Sequence, residues 1–329
     1  MERVIWGMVG CGEVTEQKNG PGLYKADRSE LKGIYSRTYE KAIDYARRHG
    51  VSLVYKTVQE LLSDPDIHAV YIATPPEAHK EYALACIAAG KIPYIEKPMA
   101  LNFEDCQEII GAAEKKGIPI YVAFYRRGAA KFLKIKELID NGAIGTVYCV
   151  DVRQIEPPGS ETFNRENLPW KLGSLQGGGY ILDRGVHIID YLMLFFGEIT
   201  EIRGVVENRA GLYDVEDTVS FSLRFKNNVV GNGLWCYVAN HVEDKVTVIG
   251  EKGRLEFSGL QCGGNITLVQ GVKTTVINFD EPEHVGQGMI QAIVDELTGK
   301  SKCLADVNCA AKVTWVMDTL LDEYRKRNK

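Results

Sequence analysis

Val4-Ile5-Trp6-Gly7-Met8-Val9-Gly10-Cys11-Gly12-Glu13-Val14-Thr15 decides how the rest of this 329-residue chain is read. A short apolar run passes directly into glycines where a helix should begin. A buried strand, a tight turn and a helix start are expected there. The first glycine, Gly10, permits the sharp reversal. The second, Gly12, lets main-chain N–H groups approach a pyrophosphate, whose charge the helix N-terminus favours. Gly10, Gly12, Glu13 and Val14 are therefore candidate contacts for a dinucleotide. The third glycine of such a fingerprint is missing. Thr15 stands in its place and Gly20-Pro21-Gly22 follows, so the first helix should be short or interrupted. Alone, the motif reads equally well as an ordinary glycine turn, and its surroundings have to decide.

Working outward, strands are predicted at 4–9, 31–35, around Leu53, at 69–73, 92–95 and 118–123. Helical stretches fall between them at 39–49, 57–62 and 78–89. This alternation is that of βαβ units feeding a doubly wound parallel sheet of Rossmann type. Beyond a helical stretch at 131–141 the pattern changes to strands without intervening helices, at 146–153, 199–207, 218–225, 229–238, 245–249, 254–257 and 274–279. Val219, Phe221, Leu223 and Phe225 alternate with Thr218, Ser220, Ser222 and Arg224, so one face packs on a core. The other face is wetter and open to a dimer contact. Asn227-Asn228 is a candidate tight turn between two of these strands. The length favours two domains. The expected fold class is α/β: a Rossmann domain over 1–123, then an α+β domain over 124–329 built on an open, mostly antiparallel sheet.

Composition narrows the partners. Apolar residues are 45% and charged residues 25% of the chain, an ordinary globular mixture, and the formal net charge of −5 offers no broad basic surface to nucleic acid or an acidic membrane. Small-molecule partners are expected. Eight cysteines lie scattered without a C-x-x-C pair, and six histidines do not group with them, so no metal site is expected. No apolar run is long enough to span a bilayer, and a reduced, cytoplasmic protein is expected.

The chemistry is sought at the carboxyl ends of the parallel strands, where open sheets bind ligands. An acidic residue ending the second strand would bind a ribose 2′-hydroxyl. Here Ser36 and Arg37 stand in that place, suited to a 2′-phosphate, so NADP(H) is expected to be preferred with NAD(H) possible. Thr74-Pro75 and His79 follow the fourth strand, and Glu96-Lys97-Pro98 the fifth. All join the cofactor-side candidates, and Lys97 is a catalytic candidate. In the second half, Gly177-Gly178-Gly179-Tyr180-Ile181-Leu182-Asp183-Arg184-Gly185-Val186-His187 reads as a glycine-rich entry into a helix. Asp183 and His187, four apart, would share one helical face and address one substrate hydroxyl, although a core histidine with an aspartate partner has the same spacing.

Taken in this order, the fingerprint, Glu96-Lys97-Pro98 and the glycine run with Asp183, Gly185, His187 and Asp190 resemble the Gfo/Idh/MocA family of glucose-fructose oxidoreductase and inositol dehydrogenase relatives. Phe124-Tyr125-Arg126-Arg127, Gly142-x-Ile144-Gly145 and Trp170 fall where that family has similar residues. The resemblance covers nearly the whole chain. It implies a Rossmann domain joined to an open sheet through which members oligomerise, here a homodimer or homotetramer. It also implies hydride transfer between a nicotinamide and a secondary alcohol or ketone of a sugar, cyclitol or related polyol. By the same resemblance Lys97 and Asp183 hydrogen-bond the reacting hydroxyl and His187 is the acid/base, with Tyr125, Arg126, Arg127, Trp170 and Lys171 as candidate substrate contacts. Two alternatives share the same motifs: a glycoside-cleaving enzyme using transient nicotinamide oxidation, and a cofactor-binding regulator without catalysis.

Overall fold

The computed structural model of the chain describes residues 1–169, 172–173 and 178–327. It comprises two compact units, Met1–Ala129 with Pro282–Ala311, and Ala130–Glu281 with Lys312–Lys329.

The first unit holds β1 (Val4–Val9), β2 (Ser29–Tyr35), β3 (Leu53–Val54), β4 (Ala69–Ile72), β5 (Ile92–Ile95) and β6 (Tyr121–Val122). They form one parallel sheet in the order β3-β2-β1-β4-β5-β6. The winding direction reverses between β1 and β4, the switch point that opens a ligand crevice at the carboxyl edge of such sheets. A parallel neighbour can be reached only by a crossover connection, and between β5 and β6 that is the helix Phe103–Lys116. Asn102 caps it by accepting from the Asp105 N–H at 2.8 Å. The sequence reading placed no helix there.

A second difference concerns where the first core ends. Trp6, Met8, Tyr45, Tyr71 and Tyr94 are buried in one cluster with Met289, Ile290, Ile293 and Val294. Those last four line one stripe of the helix Gln287–Leu297. Burial of each such side chain favours folding by about 1.5–3 kcal/mol, so residues 282–311 return to the first unit rather than staying with their sequence neighbours. The linear division at 123/124 does not contain this return. At the contact, a Cβ on Gly128 would lie 2.3 Å from the Met289 nitrogen, so only glycine allows the backbones to meet.

The second unit is built on β7 (Val147–Ile155), β8 (Ile199–Glu207), β9 (Thr218–Phe225), β10 (Val230–Cys236), β11 (Glu243–Gly250), β12 (Gly253–Phe257), β13 (Gly264–Gln270) and β14 (Lys273–Phe279). The order is β14-β13-β12-β11-β7-β10-β9-β8, antiparallel except that β7 and β10 pair in parallel. β13 was not read from the sequence. The turn at Asn227-Asn228 is present, with Asn228 at φ +68° and the Phe225 N–H donating to the Val229 carbonyl at 2.9 Å. Val219, Phe221, Leu223 and Phe225 are buried, while Ser220, Ser222 and Arg224 are exposed on the opposite face. Phe132 and Phe195, from the helices Ala130–Asp140 and Val186–Phe196, meet the ring of Phe257 of β12 edge-on on the covered face. Lys131 is fully buried beside them. Its ammonium donates to the carbonyls of Ser258, Gln261 and Gly263 and to the Ser258 hydroxyl at 2.6–2.9 Å, which fastens the β12–β13 connection to the helix.

Candidate cofactor and active site

Gly10 closes the turn after β1 at φ +92°, and its N–H donates to the Tyr35 carbonyl at 2.8 Å. A Cβ there would stand 2.5 Å from the Ala73 carbonyl oxygen. The turn is thus held between the ends of β2 and β4, and a side chain has no room. Gly12 is the opposite case: nothing lies within 4 Å of its would-be Cβ, so its backbone faces open space. On the neighbouring loop the Thr74 hydroxyl is buried without a hydrogen-bond partner among the described residues. An open glycine backbone beside an unsatisfied buried hydroxyl, at the switch point of the sheet, fits the phosphates of a dinucleotide. Glu13 and Val14 follow in the first turn of the helix Glu13–Gln17, which is as short as expected and is succeeded by a separate turn, Gly22–Lys25. Thr15 explains how the missing third glycine is tolerated. It is buried, its hydroxyl donates to the Gly12 carbonyl at 2.7 Å, and its own carbonyl accepts from the Tyr45 hydroxyl at 2.9 Å.

At the end of β2, Ser36 lies within hydrogen-bond reach of the Cys11 thiol and Arg37 is exposed. Burial pushes the Cys11 thiol up, opposed by Ser36 and by the positive charge of Lys41. Lys41 therefore sits near the same turn as a further cation. The sequence reading missed it, although its position four residues after Arg37, in the first turn of the helix Tyr39–His49, was a usable signal.

The loops after β4 and β5 are built differently from the expectation that their polar residues face a cofactor. Glu96 is buried, and its carboxylate accepts from the Asn19 amide, the Tyr71 hydroxyl and the Lys97 N–H. Burial pushes the Tyr71 phenol far up, reinforced by the negative charge of Glu96. Glu96 thus ties the Lys97 backbone to the sheet. The Lys97–Pro98 peptide is cis. His79 is also fully buried. Its Nδ1 faces the Pro98 carbonyl at 2.8 Å and its Nε2 the Thr74 carbonyl at 2.9 Å, so the ring joins the two loops to each other. Burial holds its pKa below the usual imidazole value against both carbonyls. Pro75 stays exposed at the rim. Neither Asn19 nor Tyr71 was singled out from the sequence, because each acts at long range, through the fold.

In the second unit Asp183 lies in a π-helical turn, Ile181–Gly185, that runs into the α-helix Val186–Phe196 bearing His187. The expected four-residue α spacing is therefore replaced by a wider turn at Asp183, a local geometry common at functional sites. His187 is 6% exposed and Asp190 is buried. The turn is braced from several sides. Tyr180 stacks on Tyr237 with ring centres 4.4 Å apart, and the Arg184 guanidinium lies over both rings and pairs with Glu156. A Cβ on Gly185 would meet the Trp235 ring at 2.6 Å. Of the candidate substrate contacts, Tyr125 and Arg126 sit on a 3-10 turn, with the Arg126 guanidinium 4.9 Å above the Tyr125 ring. Arg127 is corrected: it is buried and donates to the Leu304 carbonyl and the Cys309 sulfur, as a tie within the first unit. Trp170 and Lys171 lie outside the described residues.

Residues 4–124 match the family model of the Gfo/Idh/MocA oxidoreductases with an NAD-binding Rossmann fold, and residues 132–256 match that family's C-terminal domain. The chain belongs to the Gfo/Idh/MocA family. It is 35% identical over 319 residues to oxidoreductase P35 of Formosa agariphila, spanning 96% of this chain and 98% of that protein. It is 29% identical to the 1,5-anhydro-D-fructose reductase of Ensifer adhaerens, over 84% of this chain and 81% of the reductase. In fold it is similar to the aldose-aldose oxidoreductase of Caulobacter crescentus (TM-score 0.85, 22% identity, 98% of both chains). It is likewise similar to a 3-ketoreductase of Actinomadura kijaniata solved with NADP (TM-score 0.78, 19% identity, 97% and 96% of the chains). This Gfo/Idh/MocA protein is an oxidoreductase with an NAD(P)-binding Rossmann domain. Among the described residues no helix is long and apolar enough to cross a membrane.

Proposed function

We propose that the enzyme moves a hydride between NADP(H) and the secondary alcohol or ketone of a sugar, cyclitol or related polyol. The observation that carries this reading is the constellation at one sheet edge: the Gly10 turn, the open Gly12 backbone, the unsatisfied Thr74 hydroxyl and the Glu96-anchored Lys97. Ser36, Arg37 and Lys41 bind the 2′-phosphate that separates NADP(H) from NAD(H), since guanidinium and ammonium groups recognise phosphate strongly. The 1,5-anhydro-D-fructose reductase relative supports a sugar-like substrate.

When bound, the nicotinamide supplies or accepts the hydride. The protein supplies the rest. His187 removes the hydroxyl proton as the carbinol is oxidised, or returns it in the reverse direction, a transfer suited to imidazole near neutral pH. Asp183 orients that hydroxyl, and Lys97 stabilises the negative charge developing on its oxygen, a contribution of about 2.7–4 kcal/mol in a comparable oxyanion site. Tyr125 and Arg126 contact the substrate. The exposed outer face of the second sheet pairs with a second copy, giving a homodimer or homotetramer.

The test is turnover with NADP and with NAD over polyols, aldoses, glycosides and ketosugars, for wild type, Lys97→Ala, His187→Ala and Arg37→Ala. Both catalytic substitutions are expected to abolish turnover while cofactor still binds, and Arg37→Ala to weaken NADP(H) far more than NAD(H). Full activity in His187→Ala would overturn the catalytic assignment. Release of free sugar without net nicotinamide change would replace hydride transfer to product with the transient-redox chemistry.

A further inference from the structure

The geometry points to Glu216 as a positioning residue that latches the π-helical turn carrying Asp183, so that the active arrangement forms when its carboxyl is ionised. The inference rests on the catalytic reading of Asp183 and His187 above. Glu216 precedes β9 and is 3% exposed. Its Oε1 accepts the Ile181 N–H at 3.1 Å, the first residue of the π turn. Two residues earlier the chain passes directly over the carboxyl: Gly179 holds φ +122°, and a Cβ there would lie 2.3 Å from the same oxygen. The carboxyl beneath it thus explains why position 179 is glycine. From Gly179 the hydrogen-bonded turn continues at once, with the Asp183 N–H donating to the Gly179 carbonyl at 2.9 Å.

A carboxylate is a stronger acceptor than a carboxylic acid, so ionisation tightens the grip on Ile181. The groups facing Glu216 are Asp217 beside it, Arg325 from the helix Val307–Arg327, and the phenols of Tyr213, Tyr237 and Tyr324. Only Arg325 among them favours the charged form, and burial outweighs it, so the carboxyl is pushed up to about 7. The latch therefore changes state across the neutral range. Asp217 does not substitute for it, because its carboxylate is engaged by the Arg209 and Ala210 N–H groups and the Thr218 hydroxyl.

The test compares wild type, Glu216→Gln and Glu216→Asp in the pH dependence of kcat, in KM, in NADP(H) binding, and in amide hydrogen exchange of residues 180–186. In wild type, kcat should rise through a step near neutral pH, and exchange protection at Ile181 and Asp183 should rise over the same range. Glu216→Gln should remove the step in exchange protection and change the kcat profile, lower kcat by about ten- to a hundredfold and loosen those amides, with NADP(H) binding unchanged. Glu216→Asp, still ionisable but shorter, should keep a step with a lower plateau. A Glu216→Gln profile superposing on wild type overturns the latch. So does wild-type protection at Ile181 that is flat between pH 5.5 and 8.5, a measurement needing no variant. If His187→Ala is fully active, the catalytic reading fails while the exchange comparison still judges the latch on its own.

Discussion

Glu216 and Lys131 are both buried charged-type side chains of the second unit, and they are handled in opposite ways. Lys131 is given four oxygen acceptors, which replace the water it loses. Glu216 receives main-chain N–H groups from Ile181 and from its own residue, but burial outweighs them and pushes its pKa from 4.5 to about 7. Because the folded value lies above the unfolded one, the protonated carboxyl stabilises the fold fully below pH 4.5, and that contribution is lost as pH rises through about 7. At pH 8 the ionised group costs roughly 3 kcal/mol by the pKa-to-energy conversion. Glu216→Gln should therefore be close to wild type in urea unfolding at pH 5 and more stable than wild type at pH 8. An equal difference at both pH values would show that the group does not titrate in the native state. Stability given up at a site that needs charge is the usual trade at functional residues.

The turn after β1 separates two roles that the fingerprint lumps together. A Cβ on Gly10 would meet a main-chain carbonyl at 2.5 Å, and the residue sits at φ +92°, so Gly10→Ala has to displace the β1–β4 edge itself. Gly12 has extended backbone, φ −98° and ψ −174°, and empty space before it. Gly12→Ala should fold with an unchanged melting temperature and lose only NADP(H) affinity, by about tenfold, since its methyl enters the room that a pyrophosphate would take. Gly10→Ala should lose affinity and melt several degrees lower. Thermal melts with fluorescence titration of both variants check this, and equal melting of the two would remove the steric distinction. Elsewhere the elements were legible to the extent that they were periodic. The helix Tyr39–His49 and the alternation of β9 were read at their observed bounds. The helix Phe103–Lys116 was not, because its buried Cys106, Ile109, Ile110 and Ala113 form a thin stripe among charged residues.

Across the whole molecule, the second sheet covers one face with the helices Ala130–Asp140 and Val186–Phe196 and leaves exposed residues on the other. Val230 on that outer face is 46% exposed, and Leu234 lies four positions along the same strand on the same face. If two copies pair there, Val230→Glu with Leu234→Glu should reduce the mass measured by light scattering to that of a monomer while NADP(H) binding persists. A monomeric wild type, or an unchanged mass in the variant, would move the contact off this face. The return of residues 282–311 to the first core belongs to this scale too. Its apolar stripe was not read from the sequence, and a stripe does not say which core receives it.

The sequence by itself determined the parallel then antiparallel architecture, the glycine turn and the family, because strand period, glycine placement and loop motifs are local and each residue type carries its own backbone preference. Tertiary structure alone decided what the polar residues around that turn do. His79 and Glu96 face inward to carbonyl and donor groups, Asn19 and Tyr71 meet Glu96 across the fold, and Glu216 reaches Ile181 from 35 positions away. A buried polar side chain takes its role from whichever partner the fold brings within hydrogen-bond distance, and that partner is not written in its own stretch of chain.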